Sequence, residues 1–111
     1  MNGKPTASQK RFHQWCRDFG CAVCLCDPAI HHIVGSRMKL KGCKNPGEWY
    51  ILPLCYKHHQ GEEGIHSNKK KFMEKYRHQK EIWKDLLGDY KNEYGSYPMS
   101  DEEYQIIVER A

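Results

Sequence analysis

Cys21-Ala22-Val23-Cys24 and Leu54-Cys55-Tyr56-Lys57-His58-His59 are the stretches that decide how this chain folds. Each holds a short chelating pair, Cys-x2-Cys in one and Cys-x2-His in the other, with thirty residues between Cys24 and Cys55. A structural zinc ion takes four Cys or His ligands in a tetrahedron, and each pair supplies half of one. Cys21, Cys24, Cys55 and His58 are therefore the expected structural Zn2+ ligands. Cys26 lies two residues past Cys24 and competes for the site, but Cys-x2-Cys is the better knuckle. Further histidines stand on both limbs, the pair His31-His32 in the gap and His59 directly after His58.

The chain has 111 residues, enough for one domain with a modest core. Six cysteines in so short a chain fit either three disulfides or a metal. No signal-peptide pattern opens the chain, and histidines crowd Cys55, so metal is the expectation. Cys16 and Cys43 fall outside the pairs and are expected to be buried or free thiols. No apolar run approaches membrane-spanning length. The expected setting is soluble, cytoplasmic and without a membrane partner.

The net charge of +4 is unevenly spread. Residues 1–67 carry nine Lys/Arg against five Asp/Glu, residues 68–84 seven against two, and residues 85–111 two against seven. A basic middle suits a phosphate-rich partner. Lysine runs by themselves are more often solvated helix surface.

Periodicity outlines the elements. Phe12, Trp15, Cys16 and Phe19 form one stripe of a helix over 6–19, capped by Thr6 or Ser8 and ended by Gly20. Lys10, Arg11 and Arg17 point elsewhere on it. Ala29 to Val34 and Trp49 to Leu54 read as two short strands, with Pro53 confining the second to an edge. They can pair as a hairpin across residues 35–48, read as a mobile basic loop. A turn or short helix starts at Cys55 and breaks at Gly61 and Gly64. Asn68 caps a basic helix over 68–78 whose buried side is Phe72, Met73 and Tyr76. The stripe falters at His78-Gln79-Lys80 and resumes over 79–93 with Ile82, Trp83, Leu86, Leu87 and Tyr90. Gly95 and Pro98 form a linker. The capping box Ser100-x-x-Glu103 opens a terminal helix with Tyr104, Ile107 and Val108. His13 and His78 are expected on helix surfaces.

Strand, loop, strand and helix, framed by zinc knuckles, resemble the ββα-metal fold of HNH nucleases. The run Cys-x2-Cys, Ile30-His31-His32-Ile33, Ile51-Leu52-Pro53-Leu54-Cys55-x2-His58-His59 and Gly64-Ile65-His66-x2-Lys69-Lys70-x-Phe72 is similar to the phage recombination-enhancement (Ref-like) nucleases, which depend on RecA. The similarity spans roughly residues 8–90. It implies an α+β fold, a small zinc-stabilised ββα-metal (HNH) core over about 20–78 with flanking helices, and a metal-dependent DNA endonuclease. In this alignment His31 and His59 hold a catalytic divalent metal (Mg2+, Mn2+ or Zn2+), with His66 a third candidate ligand, and His32 is the general base. The implied partners are DNA, single-stranded or a recombination intermediate, and a RecA filament, inside a bacterial host of a phage or prophage. Arg37, Lys39, Lys41, Lys69, Lys70 and Lys71 would hold the backbone without reading sequence.

Two positions depart from the HNH pattern. Tyr50 stands where the family's Asn lies, five residues before Cys55, so another group, such as a backbone carbonyl, must orient His32. His31 stands where Asp is usual, which softens the site toward zinc, manganese or nickel. Adjacent strand side chains face opposite ways. His31 and His32 can therefore share a site only where the strand ends or twists, as Gly35 allows. The competing readings are a zinc-dependent adaptor without catalysis, which needs neither His32 nor His59, and a structure-specific junction nuclease.

Overall fold

Thr6 starts the first helix. Its hydroxyl accepts from Gln9 N–H at 3.2 Å, and the Gln9 side-chain oxygen Oε1 accepts from Thr6 N–H at 2.8 Å, a reciprocal cap. Helix α1 then runs Ala7–Phe19 and stops at Gly20, whose φ of 97° suits glycine. The computed structural model describes residues 4–61 and 64–111 of the chain. Within them it is an α+β fold: one antiparallel pair of strands and five α-helices.

Strands β1 (Ala29–His32) and β2 (Ile51–Leu54) pair with His31 opposite Leu52 and His32 opposite Ile51. Both are shorter than the periodicity suggests. Beyond His32 the ladder keeps one bond, Ile33 N–H to the Tyr50 carbonyl at 3.1 Å. Pro53 has no N–H to give, but its carbonyl accepts from Ala22 at 2.8 Å, so β2 also holds the first knuckle.

Helix α2 (Tyr56–His59) follows β2 directly, with α3 (Lys69–Tyr76) after it. Asn68 caps α3 by accepting from Lys71 N–H at 3.0 Å. The expected break falls at Arg77, held at φ 139°, and α4 spans Gln79–Tyr94. Gly95 closes α4 at φ 83°. Ser100 accepts from Glu103 N–H at 3.1 Å and opens α5 (Asp101–Arg110).

Phe12, Trp49, Ile51, Leu52, Leu54, Phe72, Trp83, Leu86, Leu87 and Ile107 belong to the core, drawn from α1, β2 and the residues just before it, α3, α4 and α5. The radius of gyration, 13.3 Å, is that of a tightly packed chain of this length. Among the described residues no helix is long and apolar enough to cross a membrane.

Two expectations need correction. His13 does not lie on the helix surface; it is buried. The basic connection is not an elementless loop to its end. It forms a bridge between Leu40 and Cys43 and then a 3-10 turn, Pro46–Glu48, whose three residues are all buried. Pro46 presets the first position of that turn, and Glu48 N–H closes onto the Asn45 carbonyl at 3.0 Å. Loop composition does not register burial of this kind.

Candidate metal centre

The first knuckle follows α1, and the second spans the step from β2 into α2. Hydrogen bonds Cys21 N–H to Cys26 O and Leu25 N–H to Cys21 O, both 2.8 Å, curl the first pair into a turn. The second pair sits at the start of α2, where His58 and His59 N–H both reach the Cys55 carbonyl. The four expected zinc ligands converge, with every donor atom within 4.8 Å of the others. Cys55 Sγ lies 3.2 Å from His58 Nδ1, Cys24 Sγ 3.5 Å from Cys55 Sγ, and Cys21 Sγ 3.8 Å from His58 Nδ1. Ligands at zinc bond lengths in a tetrahedron stand about 3.6 Å apart, so this set fits the ion. Cys26 is exposed and outside the cluster, while Cys16 and Cys43 are buried thiols. Burial pushes Cys16 above the titratable range and Cys43 up to about 12, so neither acts as a thiolate.

A second cluster joins His31, His59 and His66, again with one donor atom from each within 4.8 Å of the others. Gly64 makes it possible. The chain doubles back on α2 so that Ile65 N–H reaches the His58 carbonyl at 3.0 Å and His66 N–H the His59 carbonyl at 3.1 Å. A Cβ on Gly64 would stand 2.7 Å from Gln60 N and the His59 carbonyl carbon. His59 Nε2 and His66 Nε2 are thereby 2.9 Å apart. Two nitrogens about 2.1 Å from one cation and at right angles would be separated by about 3 Å. His31 is buried, His59 half-buried and His66 exposed, so one side of the cluster stays open to solvent.

Two of these imidazoles, His31 and His59, are held toward their neutral form. Burial, with smaller contributions from His59, His66 and His32, lowers His31 to about 4 against the Gln79 hydrogen bond. Burial and then His66 also lower His59. Neutral imidazole is the ligand form. Gln79, buried at the start of α4, accepts from His31 Nε2–H at 3.1 Å, which leaves the lone pair on Nδ1.

His32 turns the other way. Strand β1 ends at it, so both neighbours still line one cavity of about 210 Å³, together with Ile65, His66, Lys69 and Gln79. His32 Nε2 donates to Glu48, 2.7 Å from Oε1 and 3.3 Å from Oε2. The orienting group is thus a side-chain carboxylate, delivered by the buried 3-10 turn, and not a backbone carbonyl. Asn45, the nearest Asn, spends its amide on the Lys4 carbonyl at 2.7 Å.

The family model described as a protein of unknown function, DUF968, matches residues 4–95. The chain belongs to the DUF968 family. No curated protein and no solved structure matches it. Both candidate metal clusters, Glu48 and Gln79 fall inside the segment shared with DUF968, and α5 lies beyond it.

Of the expected backbone-binding residues, Arg37, Lys39 and Lys41 are exposed on the connection between the strands. Lys69, Lys70 and Lys71 are exposed in the first turn of α3, and Lys69 reaches the histidine cavity. Gln79, Glu48 and His13 escaped sequence reasoning. The only advance signal was that Gln79 stood where the apolar stripe broke.

Proposed function

We propose that this DUF968 protein is a metal-dependent DNA endonuclease of the HNH type, built on a zinc-stabilised ββα-metal core and acting in the cytoplasm. One observation carries the reading: two members of a three-histidine cluster, His31 and His66, and a carboxylate-oriented histidine line the same cavity, with a lysine at its rim. An adaptor that used zinc only to fold would need neither feature.

A divalent cation on His31, His59 and His66 would supply charge neutralisation at the scissile phosphate. The chain's own residues do the rest. Glu48 holds the Nε2 proton of His32, so Nδ1 carries the lone pair that takes a proton from the attacking water. Gln79 fixes the His31 tautomer. Lys69 stands beside the cavity to meet a phosphate oxygen. Lys70 and Lys71, with Arg37, Lys39 and Lys41, would extend the same backbone contact. Resemblance to the Ref-like nucleases makes single-stranded DNA or a D-loop the first substrates to try, with and without a RecA filament.

The test is cleavage of those DNAs with magnesium or manganese by wild type and His32→Ala, both folded and zinc-loaded. The expected loss in the variant is about 10²–10⁴-fold. Absence of cleavage by folded wild type under every condition would leave the zinc adaptor. Equal cleavage by both proteins would remove His32 as the base.

A further inference from the structure

Two of the side chains that α1 buries are polar. Gln9 is 0% and His13 7% exposed, beside the apolar Phe12 and Cys16. Buried polar groups are costly unless bonded, so their partners show what they hold. Gln9 Nε2 donates to the carbonyls of Lys44 at 3.1 Å and Asn45 at 2.9 Å. His13 Nε2 donates to the Glu48 carbonyl at 2.7 Å. All three acceptors lie in one segment, the approach to Glu48 and Glu48 itself. The same turn is held from α4, where Trp83 Nε1 donates to the Trp49 carbonyl at 2.9 Å. It is also pressed on the exit of β1, because a Cβ on Gly47 would stand 2.1 Å from the Gly35 carbonyl oxygen.

A hairpin connection needs none of this bracing. A carboxylate that must hold one imidazole in one tautomer does. Glu48 is 3% exposed, and both its oxygens are turned to His32. Burial holds His13 below its ordinary pKa, against the pull of its bond to Glu48, so near neutral pH it stays an uncharged Nε2–H donor.

We propose that Gln9 and His13 are positioning residues: from α1 they fix the 44–48 turn so that Glu48 holds His32 with its lone pair on Nδ1. The kinetic consequence rests on His32 being the base; the positioning itself does not.

Zinc-loaded wild type, His13→Leu, His13→Gln and Gln9→Met would be compared by nitrogen-15 NMR of the His32 ring, which reports its tautomer, and by cleavage kinetics. In His13→Leu the His32 tautomers should mix, and kcat should fall about tenfold with KM changed less than about twofold. His13→Gln, whose amide can reach the same carbonyl, should restore both. If His13→Leu does not fold, Gln9→Met carries the same expectation with His13 left in place. A wild-type His32 tautomer in a folded His13→Leu, or equal damage in the Leu and Gln variants, overturns the proposal. If wild type cleaves nothing, the nuclease reading fails, and the NMR comparison decides the brace alone.

Discussion

Gly64 has no room for a side chain, and that closeness is what brings His66 back to His59. Gly64→Ala must push the return strand off α2. We expect a cost of about 1–3 kcal/mol in a urea melt. Divalent-metal affinity at the histidine cluster should fall about 10- to 100-fold in titration calorimetry, with the zinc site unchanged. His31 gives a second expectation. Its folded value of about 4 lies below the ordinary 6.5, so the unfolded chain binds more protons between the two. The stabilising effect of its neutral form is complete above pH 6.5 and is lost as pH falls toward 4. Between about pH 7 and 5, without added metal at the cluster, this amounts to about 2 kcal/mol. His31→Gln should lose less stability than wild type over that interval, and equal losses would remove His31 as the source. The four-ligand cluster was legible because chelation constrains its spacing, and the grouping of His31 with His59 and His66 came from the resemblance to the HNH pattern. Glu48 and Gln79 were not. They lie 16 and 48 residues from the histidines they hold, and in sequence each looks like an ordinary polar residue.

Two helix starts within one chain carry opposite charge. Helix α5 begins Asp101, Glu102, Glu103, the acidic first turn that the helix dipole favours. Helix α3 begins Lys69, Lys70, Lys71, with no acid in its first turn. Like charge at that end costs each lysine a few tenths of a kcal/mol, about 0.3–1 at most. A phosphate beside Lys69 would reverse the sign. Replacing all three lysines with Gln should therefore leave the zinc-loaded melt unchanged or raised. The same variant should weaken DNA binding and flatten the salt dependence of log K by up to about three units of slope. A lowered melt with unaltered DNA affinity would show that the lysines serve the fold. The caps at Thr6, Asn68 and Ser100 and the break before Gln79 were readable, because local hydrogen bonding sets them. The 44–49 segment was not, since its shape is imposed by Gln9, His13 and Trp83 from distant helices.

Across the whole molecule, the two clusters that could hold a metal are placed differently. Cys21 and Cys24 lie between α1 and β1, and Cys55 and His58 lie at the junction of β2 and α2, so a zinc ion there would tie the end of α1 to the end of the hairpin and its helix. Close to the two knuckles, Ala22 N–H on the Pro53 carbonyl makes the same link without an ion. The histidine cluster differs: Gln79 and the Gly64 return already hold its residues in place without an ion. Its open, partly exposed face gives an ion there less to crosslink. Zinc binding that is coupled to folding supplies much of the stability of a small domain. Cys21→Ser, or strong chelation, should therefore abolish the cooperative thermal transition or lower Tm by tens of degrees, at about 4–8 °C per kcal/mol for a domain near this size. His66→Ala should shift Tm by only a few degrees while removing one of two bound metal equivalents. Metal counting by mass spectrometry beside the melts separates the two. A Cys21→Ser protein that melts like wild type would show that the four-ligand cluster is not what holds the limbs together. A His66→Ala protein that unfolds would move the histidine cluster from chemistry to architecture.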